Sequence, residues 1–139
     1  MSTVASRMPR DVVAVIAIGG ALGAPARYEV SQLIHVANDS FPWATLVTNL
    51  SGAFVLGLFL TFTFERLPPT RYLRPFFAIG FLGAFTTFST MAVETVTLAK
   101  DGYVVLGVGY LIMSIAAGLV VTYLGIEIAR RLPRSAGGS

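Results

Sequence analysis

Four long apolar stretches alternate with short polar segments along the chain, and each stretch has the length of a membrane-crossing helix. A helix that spans the hydrocarbon core of a bilayer needs about 20 residues. The pattern therefore predicts an all-α integral membrane protein with a single membrane domain, residues 1–139. Its four transmembrane helices are expected at about 11–33, 44–64, 75–98 and 103–129.

The amino-acid composition agrees with this pattern. Hydrophobic residues make up 55% of the 139 residues and charged residues only 12%, compared with about 25% charged residues in an ordinary soluble domain. A soluble chain this small cannot bury so much apolar surface. The composition therefore excludes a soluble enzyme and a nucleic-acid-binding module. The absence of cysteine also excludes thiolate metal sites and nucleophiles.

The first apolar stretch, Val12–Ala26, has a second interpretation. Two arginines precede it and Ala24-Pro25-Ala26 resembles a cleavage site, which together are typical of a secretory signal. The stretch also contains Gly19, Gly20 and Gly23, and glycines suit close packing between membrane helices. We therefore favour a first transmembrane helix over a removable signal.

The cations are distributed unevenly between the two ends of a four-helix bundle. Four spans put both termini and the middle loop on one side. That side carries eight arginines: Arg7, Arg10, Arg66, Arg71, Arg74, Arg130, Arg131 and Arg134. The other side carries Lys100, and Arg27 if it is counted. Because cytoplasmic loops carry the excess of Lys and Arg, we expect both termini in the cytoplasm.

The third apolar stretch contains a polar run, Gly80–Thr90, at the depth of the membrane. Its two glycines and four hydroxyl residues are poor helix formers, so we expect the helix to break there. Broken helices at this depth occur where the backbone is buried in protein or lines a cavity. Their free carbonyls bind cations, and a half-helix N-terminus favours anions. The alternative is a kink in which Ser and Thr bond back to carbonyls.

Polar residues also recur on one face of the second and fourth stretches. Asn49 lies more than one turn inside the second stretch, where its amide either donates to a pathway or bonds to another helix. In the fourth stretch the sequence has a stripe with a spacing of four residues: Tyr110, Ser114, Gly118 and Thr122. Such a stripe either lines a pathway or packs closely against another helix.

Two of the ionisable residues in the predicted spans are candidates for a role, Arg27 in the first span and Glu94 late in the third. Arg27 is either functional or an interfacial residue that snorkels to water, and no role follows for Glu94. The candidate lining consists of amide, hydroxyl and guanidinium donors, which predicts a pathway for a small anion. No carboxylate pair or histidine cluster points to catalysis, so we expect no enzymatic activity.

Three blocks of sequence carry a resemblance to a known family. They are GGALGAPARY at 19–28, TLVTN with the following glycine at 45–52, and GFLGAFTTFST at 80–90. In order and spacing, over nearly the whole chain, they resemble the Fluc fluoride-channel family, also called CrcB. The resemblance implies dimers of two antiparallel four-helix subunits with two pores, which export fluoride passively across the plasma membrane of a microbe.

The resemblance also implies roles for individual residues. The implied fluoride pore contains Asn49, Thr87, Phe88, Met91, Tyr110, Ser114 and Arg27. In it, Asn49 is a donor, Phe88 is the first of two rings whose edges line the path, and Arg27 lies near a vestibule. The backbone carbonyls of Gly83 and Thr86 are the implied ligands of a structural Na⁺ at the dimer interface.

The chain departs from the family pattern at two positions. Met91 stands where the family has its second pore phenylalanine, and a thioether lacks the positive edge of a ring. Gly118 stands where the family often has another hydroxyl. The charge bias also opposes insertion in both orientations, so the partner is expected to be either a second copy or a separately encoded paralogous subunit in a heterodimer.

Two other functions remain as alternatives. A small multidrug transporter with four spans needs a carboxylate within its first span, where this chain has only Asp11 and Glu29 near the ends. A non-conducting subunit of a heterodimeric channel would explain the glycine-rich packing. It would not explain Asn49 together with the hydroxyl run.

Overall fold

A computed structural model of the protein describes residues 8–34 and 41–133. They form the helices α1 (Arg10–Leu33), α2 (Trp43–Arg66), α3 (Pro75–Leu82 continued by Gly83–Phe85), α4 (Phe88–Lys100) and α5 (Val104–Arg131). Together α3 and α4 make the third of four helical spans that are long and apolar enough to cross a membrane. The prediction of an all-α protein with four transmembrane helices is confirmed, and no strand occurs in the two described ranges.

The third span changes its winding before it stops being helical. Pro75–Leu82 is wound as a π-helix, and the single turn Gly83–Phe85 follows. The backbone is then extended at Thr86 (φ −81°, ψ 156°) and Thr87 (φ −148°, ψ 118°) before α4 begins. We call Thr86–Thr87 the extended segment. It lies within the run of glycines and hydroxyl residues, where helix propensity is low.

Glycines let α1 and α3 pack with their backbones in contact. A Cβ atom at Gly19 would meet the carbonyl oxygen of Phe76, and one at Gly23 would meet that of Phe81. From the other helix, a Cβ atom at Gly80 would lie 3.0 Å from the Cα of Gly19. In lipid, helices associate through such close approach. This glycine seam (Gly19, Gly23 and Gly80) therefore fixes α1 against the third span.

Helix α5 packs against both α2 and α4. A Cβ atom at Gly57 of α2 would meet the carbonyl oxygen of Thr122, and Gly125 of α5 approaches the backbone of α2 in the same way. At Gly107 of α5, a Cβ atom would lie 2.8 Å from the carbonyl oxygen of Thr95 in α4. The three helices thus face one another beside the extended segment.

One end of the bundle gathers most of the arginines, and two of them are bonded to helix ends. Arg66 donates to the carbonyl oxygens of Ala129 and Arg130 at the end of α5, at 3.0 Å each. Arg74 donates to the carbonyl oxygen of Thr63 near the end of α2, also at 3.0 Å. Cations at helix C-termini are favourable because they oppose the helix dipole. These arginines therefore hold the bundle end together.

An ion pair at the same end joins α1 to the loop before α3. The carboxylate of Asp11 lies 2.7 Å from the guanidinium of Arg71 and accepts a hydrogen bond of 2.7 Å from the Tyr72 hydroxyl. This hydrogen bond to a carboxylate raises the pKa of the Tyr72 phenol above its ordinary value. Arg7 and Arg134, which the sequence assigns to this end, lie outside the described residues.

Candidate functional site

The extended segment is held by the side chain of Asn49 from α2. Asn49 Nδ2 donates to the carbonyl oxygen of Thr87 (2.8 Å), and the N–H of Thr87 donates to Asn49 Oδ1 (2.7 Å). Asn49 of α2 is therefore bonded to the third span, which is one of the two alternatives that the sequence left open for its amide. An asparagine amide carries two N–H donors, and among the described residues only one of them is engaged. The other donor is left for a ligand.

The side chain of Thr87 caps α4. Its Oγ1 accepts a hydrogen bond from the N–H of Thr90 (3.2 Å) and donates to the Thr90 hydroxyl (2.9 Å). Threonine is a common residue at this capping position. The neighbouring Thr86 hydroxyl instead bonds back to the carbonyl oxygen of Leu82 (2.9 Å), as in the kink alternative. The two threonines therefore have different tasks.

These bonds leave two carbonyl groups of the third span without their usual partners. In a continuous α-helix each N–H bonds to the carbonyl oxygen four residues earlier. The N–H of Thr87 would then bond to the carbonyl of Gly83, and the N–H of Thr90 to the carbonyl of Thr86. Both N–H groups bond to side chains instead. Within the described ranges, neither carbonyl accepts another backbone hydrogen bond. Since paired carbonyls are the rule inside proteins, these two oxygens are suited to bind a cation.

A groove of about 370 Å³ lies beside the extended segment, between α2, the third span and α5. Seven of the nine residues that the resemblance assigns to the pore or to the Na⁺ site line it: Asn49, Gly83, Thr86, Thr87, Phe88, Met91 and Ser114. The rest of the wall is mostly apolar, and no charged side chain of the described ranges lines it. The groove therefore presents amide and hydroxyl groups in an apolar, uncharged wall.

Three side chains of the groove differ in how far they are exposed. Ser114 is 8% exposed, and its Oγ has no hydrogen-bond partner among the described residues, so its hydroxyl is free to donate. Phe88 is 70% exposed, and its ring therefore faces out of the subunit. Met91 is 5% exposed and packs in a cluster with Leu46 and Tyr110. Of the three side chains, Phe88 is therefore the one with the most area open to a partner.

Glu94 of α4 has two partners that sequence reasoning missed. The hydroxyl of Thr45 in α2 donates to Glu94 Oε1 (2.7 Å), and the hydroxyl of Tyr110 in α5 donates to Oε2 (2.8 Å). Tyr110 is 1% exposed and lies behind the groove, not on its wall. The signal that could have located this cluster is a carboxylate inside an apolar span, which needs donors from the facing helices.

Arg27 lies apart from the groove. It is a half-buried residue of α1, and α1 packs mainly against α3. Arg27 is not among the groove-lining residues of the described ranges. Within one subunit the structure therefore gathers Asn49, Thr87, Phe88, Met91 and Ser114, and leaves Arg27 elsewhere.

Most of the chain matches the sequence profile of a known protein family. The sequence profile of the family described as "CrcB-like protein, Camphor Resistance (CrcB)" matches residues 14–126. The match begins inside α1 and ends inside α5. It therefore includes every residue of the groove.

Individual relatives are similar over nearly the same range. The fluoride-specific ion channel FluC 3 of Streptomyces avermitilis is 45% identical over 125 residues, which are 90% of this chain and 61% of that protein. FluC 1 of Mycolicibacterium paratuberculosis is 46% identical over 88% of this chain and 92% of its own length. FluC of Citrifermentans bemidjiense is 43% identical over 84% of this chain and 95% of its own length. The chain thus spans less than two thirds of the Streptomyces relative and nearly all of the other two.

Proposed function

The chain belongs to the CrcB family, and from this membership we propose that it is a fluoride-selective ion channel, not an enzyme. In the plasma membrane of a microbe it lets cytoplasmic fluoride leave down its gradient and so gives resistance to fluoride. The observation that carries the proposal is the groove, which brings Asn49, Thr87 and Ser114 together in an uncharged wall. A multidrug transporter would need a carboxylate within its first span, where α1 has only Asp11 and Glu29 near its ends.

The donors of the groove suit a small anion. Fluoride is strongly hydrated, so a selective pathway has to replace its water with hydrogen-bond donors. The spare N–H of Asn49 and the free hydroxyl of Ser114 are such donors. The ring of Phe88 adds a positive edge. Because conduction requires that an ion also leaves each site, a wall without full charges favours passage over tight capture.

The other three pore residues have separate roles in this proposal. Arg27 raises the local concentration of anions near a vestibule, as a cation does at a channel mouth. Tyr110 lies behind the groove, where its hydroxyl donates to the Glu94 carboxyl group and so joins α5 to α4. Met91 takes the place of a second ring, and its soft sulfur makes that station weaker for a hard anion.

We place the complete pore between two antiparallel subunits. Phe88 is 70% exposed, and among the described residues only α2, the third span and α5 line the groove. A second subunit would cover both. That subunit is either a second copy or a paralogous chain, and the arginine-rich end favours the paralogue because it fixes this chain with both termini in the cytoplasm.

A structural Na⁺ at the centre of the dimer is part of the same proposal. The carbonyl oxygens of Gly83 and Thr86 fit it because their usual N–H partners bond elsewhere. Oxygen donors are the ligands that hard cations prefer. When bound, the ion would offset the partial negative charge of these carbonyl oxygens.

Fluoride efflux from liposomes tests the proposed function. The purified chain is reconstituted alone, and release is followed with a fluoride electrode and, separately, with a chloride electrode. We expect rapid fluoride release with no chloride release. A folded chain that releases neither ion is then reconstituted with a candidate paralogous subunit from the same genome. Continued absence of release would show that the chain does not form a fluoride channel.

A further inference from the structure

We propose that Asn49 and Thr87 are positioning residues for a monovalent-cation site, because their side chains accept the two N–H groups that would otherwise occupy the carbonyl oxygens of Gly83 and Thr86. The inference rests on the proposed function in one respect, since a second subunit must complete the coordination of the ion. It assigns Asn49 a task that is separate from donating to fluoride.

Asn49 frees the first carbonyl. The N–H of Thr87 lies 2.7 Å from Asn49 Oδ1, whereas helical continuation would direct it to the carbonyl of Gly83. Asn49 also donates to the carbonyl oxygen of Thr87 (2.8 Å), so both backbone groups of Thr87 are satisfied in the extended conformation. An apolar side chain at position 49 would leave them unpaired in an apolar setting, which favours the helical bond to Gly83.

Thr87 frees the second carbonyl. Its Oγ1 accepts from the N–H of Thr90 (3.2 Å), and this N–H would serve the carbonyl of Thr86 if α4 began one turn earlier. The hydrogen bond from Thr87 to the hydroxyl of Thr90 (2.9 Å) holds the capping oxygen in place. Capping bonds of this kind set where a helix begins. Loss of the Thr87 oxygen therefore lets α4 extend backwards over the carbonyl of Thr86.

The chemistry of the two oxygens indicates a monovalent ion. Both are neutral carbonyl groups, and the groove beside them has no carboxylate among its described lining residues. Within the described ranges there is no cluster of three or more acidic or histidine residues that could hold a metal ion. Divalent cations select carboxylate-rich sites, whereas carbonyl rings bind alkali ions. Gly83 is exposed and Thr86 half-buried, so a second subunit can supply a matching pair.

The arrangement couples the anion pathway to the cation. Asn49 holds the segment that carries Thr87 of the groove and, through the same amide, keeps the carbonyl of Gly83 free. An ion on that carbonyl opposes return of the helical bond, and so it stabilises the geometry that presents the pore donors. Binding a ligand to one of two states shifts the equilibrium toward that state.

Thermal unfolding in Na⁺ tests the role of Thr87 without measuring transport. The purified protein is unfolded in detergent while NaCl replaces N-methyl-D-glucamine chloride at constant ionic strength. We expect the wild-type midpoint to rise with Na⁺. In Thr87→Val the Na⁺ concentration for half of the effect should rise about tenfold, the size of one lost hydrogen bond. Thr87→Ser keeps the oxygen and should restore the wild-type response.

A matched control is Thr95→Val, which removes a hydroxyl of the same helix and should respond to Na⁺ as the wild type does. Within the described ranges this hydroxyl bonds only to the carbonyl oxygen of Met91. Asn49→Leu is the second variant, with Ser51→Ala of the same helix as its control, and it should weaken the response like Thr87→Val. Size-exclusion chromatography confirms that each variant is folded.

The outcomes separate this inference from the channel function. A wild-type midpoint that ignores Na⁺, or a wild-type Na⁺ response in folded Thr87→Val and Asn49→Leu, would overturn the positioning role. A wild-type protein that responds to Na⁺ with both variants impaired, yet conducts no fluoride in any subunit combination, would refute the channel and leave the positioning role in place.

Discussion

The amide of Asn49 and the backbone of Thr87 are joined by two hydrogen bonds, one in each direction, at 2.8 and 2.7 Å. A side chain of α2 thus takes the place that another backbone strand would have beside an extended residue. The third span can leave the helical conformation inside the membrane because both polar groups of Thr87 are paired there.

Replacing Asn49 with alanine should abolish most fluoride transport and destabilise the protein. Two backbone groups of Thr87 lose their partners, and each unpaired buried group costs about 1–3 kcal/mol. We expect the rate of fluoride efflux from liposomes to fall at least about tenfold, together with a lower unfolding temperature. Ser51→Ala, two residues further along α2, is the control. Efflux near the wild-type rate in Asn49→Ala would contradict the role of the amide.

Met91→Phe should destabilise the protein even though it restores an aromatic side chain. Met91 is 5% exposed and packs against Leu46 and Tyr110, and overpacking a tight site costs about 1–3 kcal/mol. Denaturation in detergent, followed by intrinsic fluorescence, measures the effect. Met91→Leu, which nearly conserves volume, should cost less than about 1.5 kcal/mol. Equal stability of the Phe and Leu variants would show that the pocket around Met91 has room for a ring.

Gly80→Ala should separate α1 from the third span. The new Cβ atom would lie 2.5 Å from the carbonyl oxygen of Ile16 and 3.0 Å from the Cα of Gly19, and backbone atoms cannot move aside cheaply. A loss of about 1–3 kcal/mol in the free energy of unfolding is expected. Gly109→Ala is the matched control, because no other described element comes within 4 Å of a Cβ atom there. Similar melting of both variants would mean that the glycine seam does not determine the packing.

Tyr110→Phe should weaken the packing of α4 against α5. The change removes one of the two hydroxyl donors to the Glu94 carboxyl group, and a hydrogen bond inside a protein contributes about 0.5–1.5 kcal/mol. Tyr123→Phe is the control on the same helix, since Tyr123 is 60% exposed. Thermal unfolding of the two variants side by side measures the difference. If Tyr110→Phe and Tyr123→Phe unfold at the same temperature, the hydrogen bonds to Glu94 add little to stability.

Reporter fusions test the orientation of the chain. Fused to the C-terminus, a fluorescent protein that matures only in the cytoplasm should be bright, and alkaline phosphatase, which works only outside it, should be inactive. The reason is the excess of arginines at that end of the bundle. Comparable activity of both fusions would instead reveal insertion in both orientations, and with it a homodimer. Glu29→Lys combined with Asp101→Lys adds cations to the other end and should reduce the bias.

The four spans could be predicted from the sequence because apolar length is a direct consequence of bilayer thickness. The rotation of each helix about its axis could not. Each span is apolar nearly all round, so hydropathy does not distinguish the side that faces a neighbour from the side that faces lipid. For that reason Tyr110 and Ser114, four residues apart on one stripe, have different surroundings: Tyr110 is bonded to Glu94, whereas Ser114 faces the groove.

Contacts between residues that are far apart in the sequence could not be predicted either. Asn49 and Thr87 are 38 positions apart, and Thr45 and Glu94 are 49 apart. Each of these residues has a polar group that needs a partner inside the membrane, which the sequence does reveal. The identity of the partner depends on how α2 and α4 are positioned by α5, and that follows from backbone contacts at glycines, not from local pattern.

The glycine seam between α1 and α3 has a consequence for the gene. Every glycine codon begins with two guanines, and any substitution at either base encodes a residue with a Cβ atom or a stop. At Gly19, Gly23 and Gly80 such an atom would collide with the backbone of the facing helix. Every single-base missense change in these three codons is therefore expected to disturb the packing. At Gly109 a Cβ atom meets no other described element within 4 Å, so a small side chain can be tolerated there. We therefore expect substitutions to accumulate at glycines such as Gly109 and to be rare in the glycine seam.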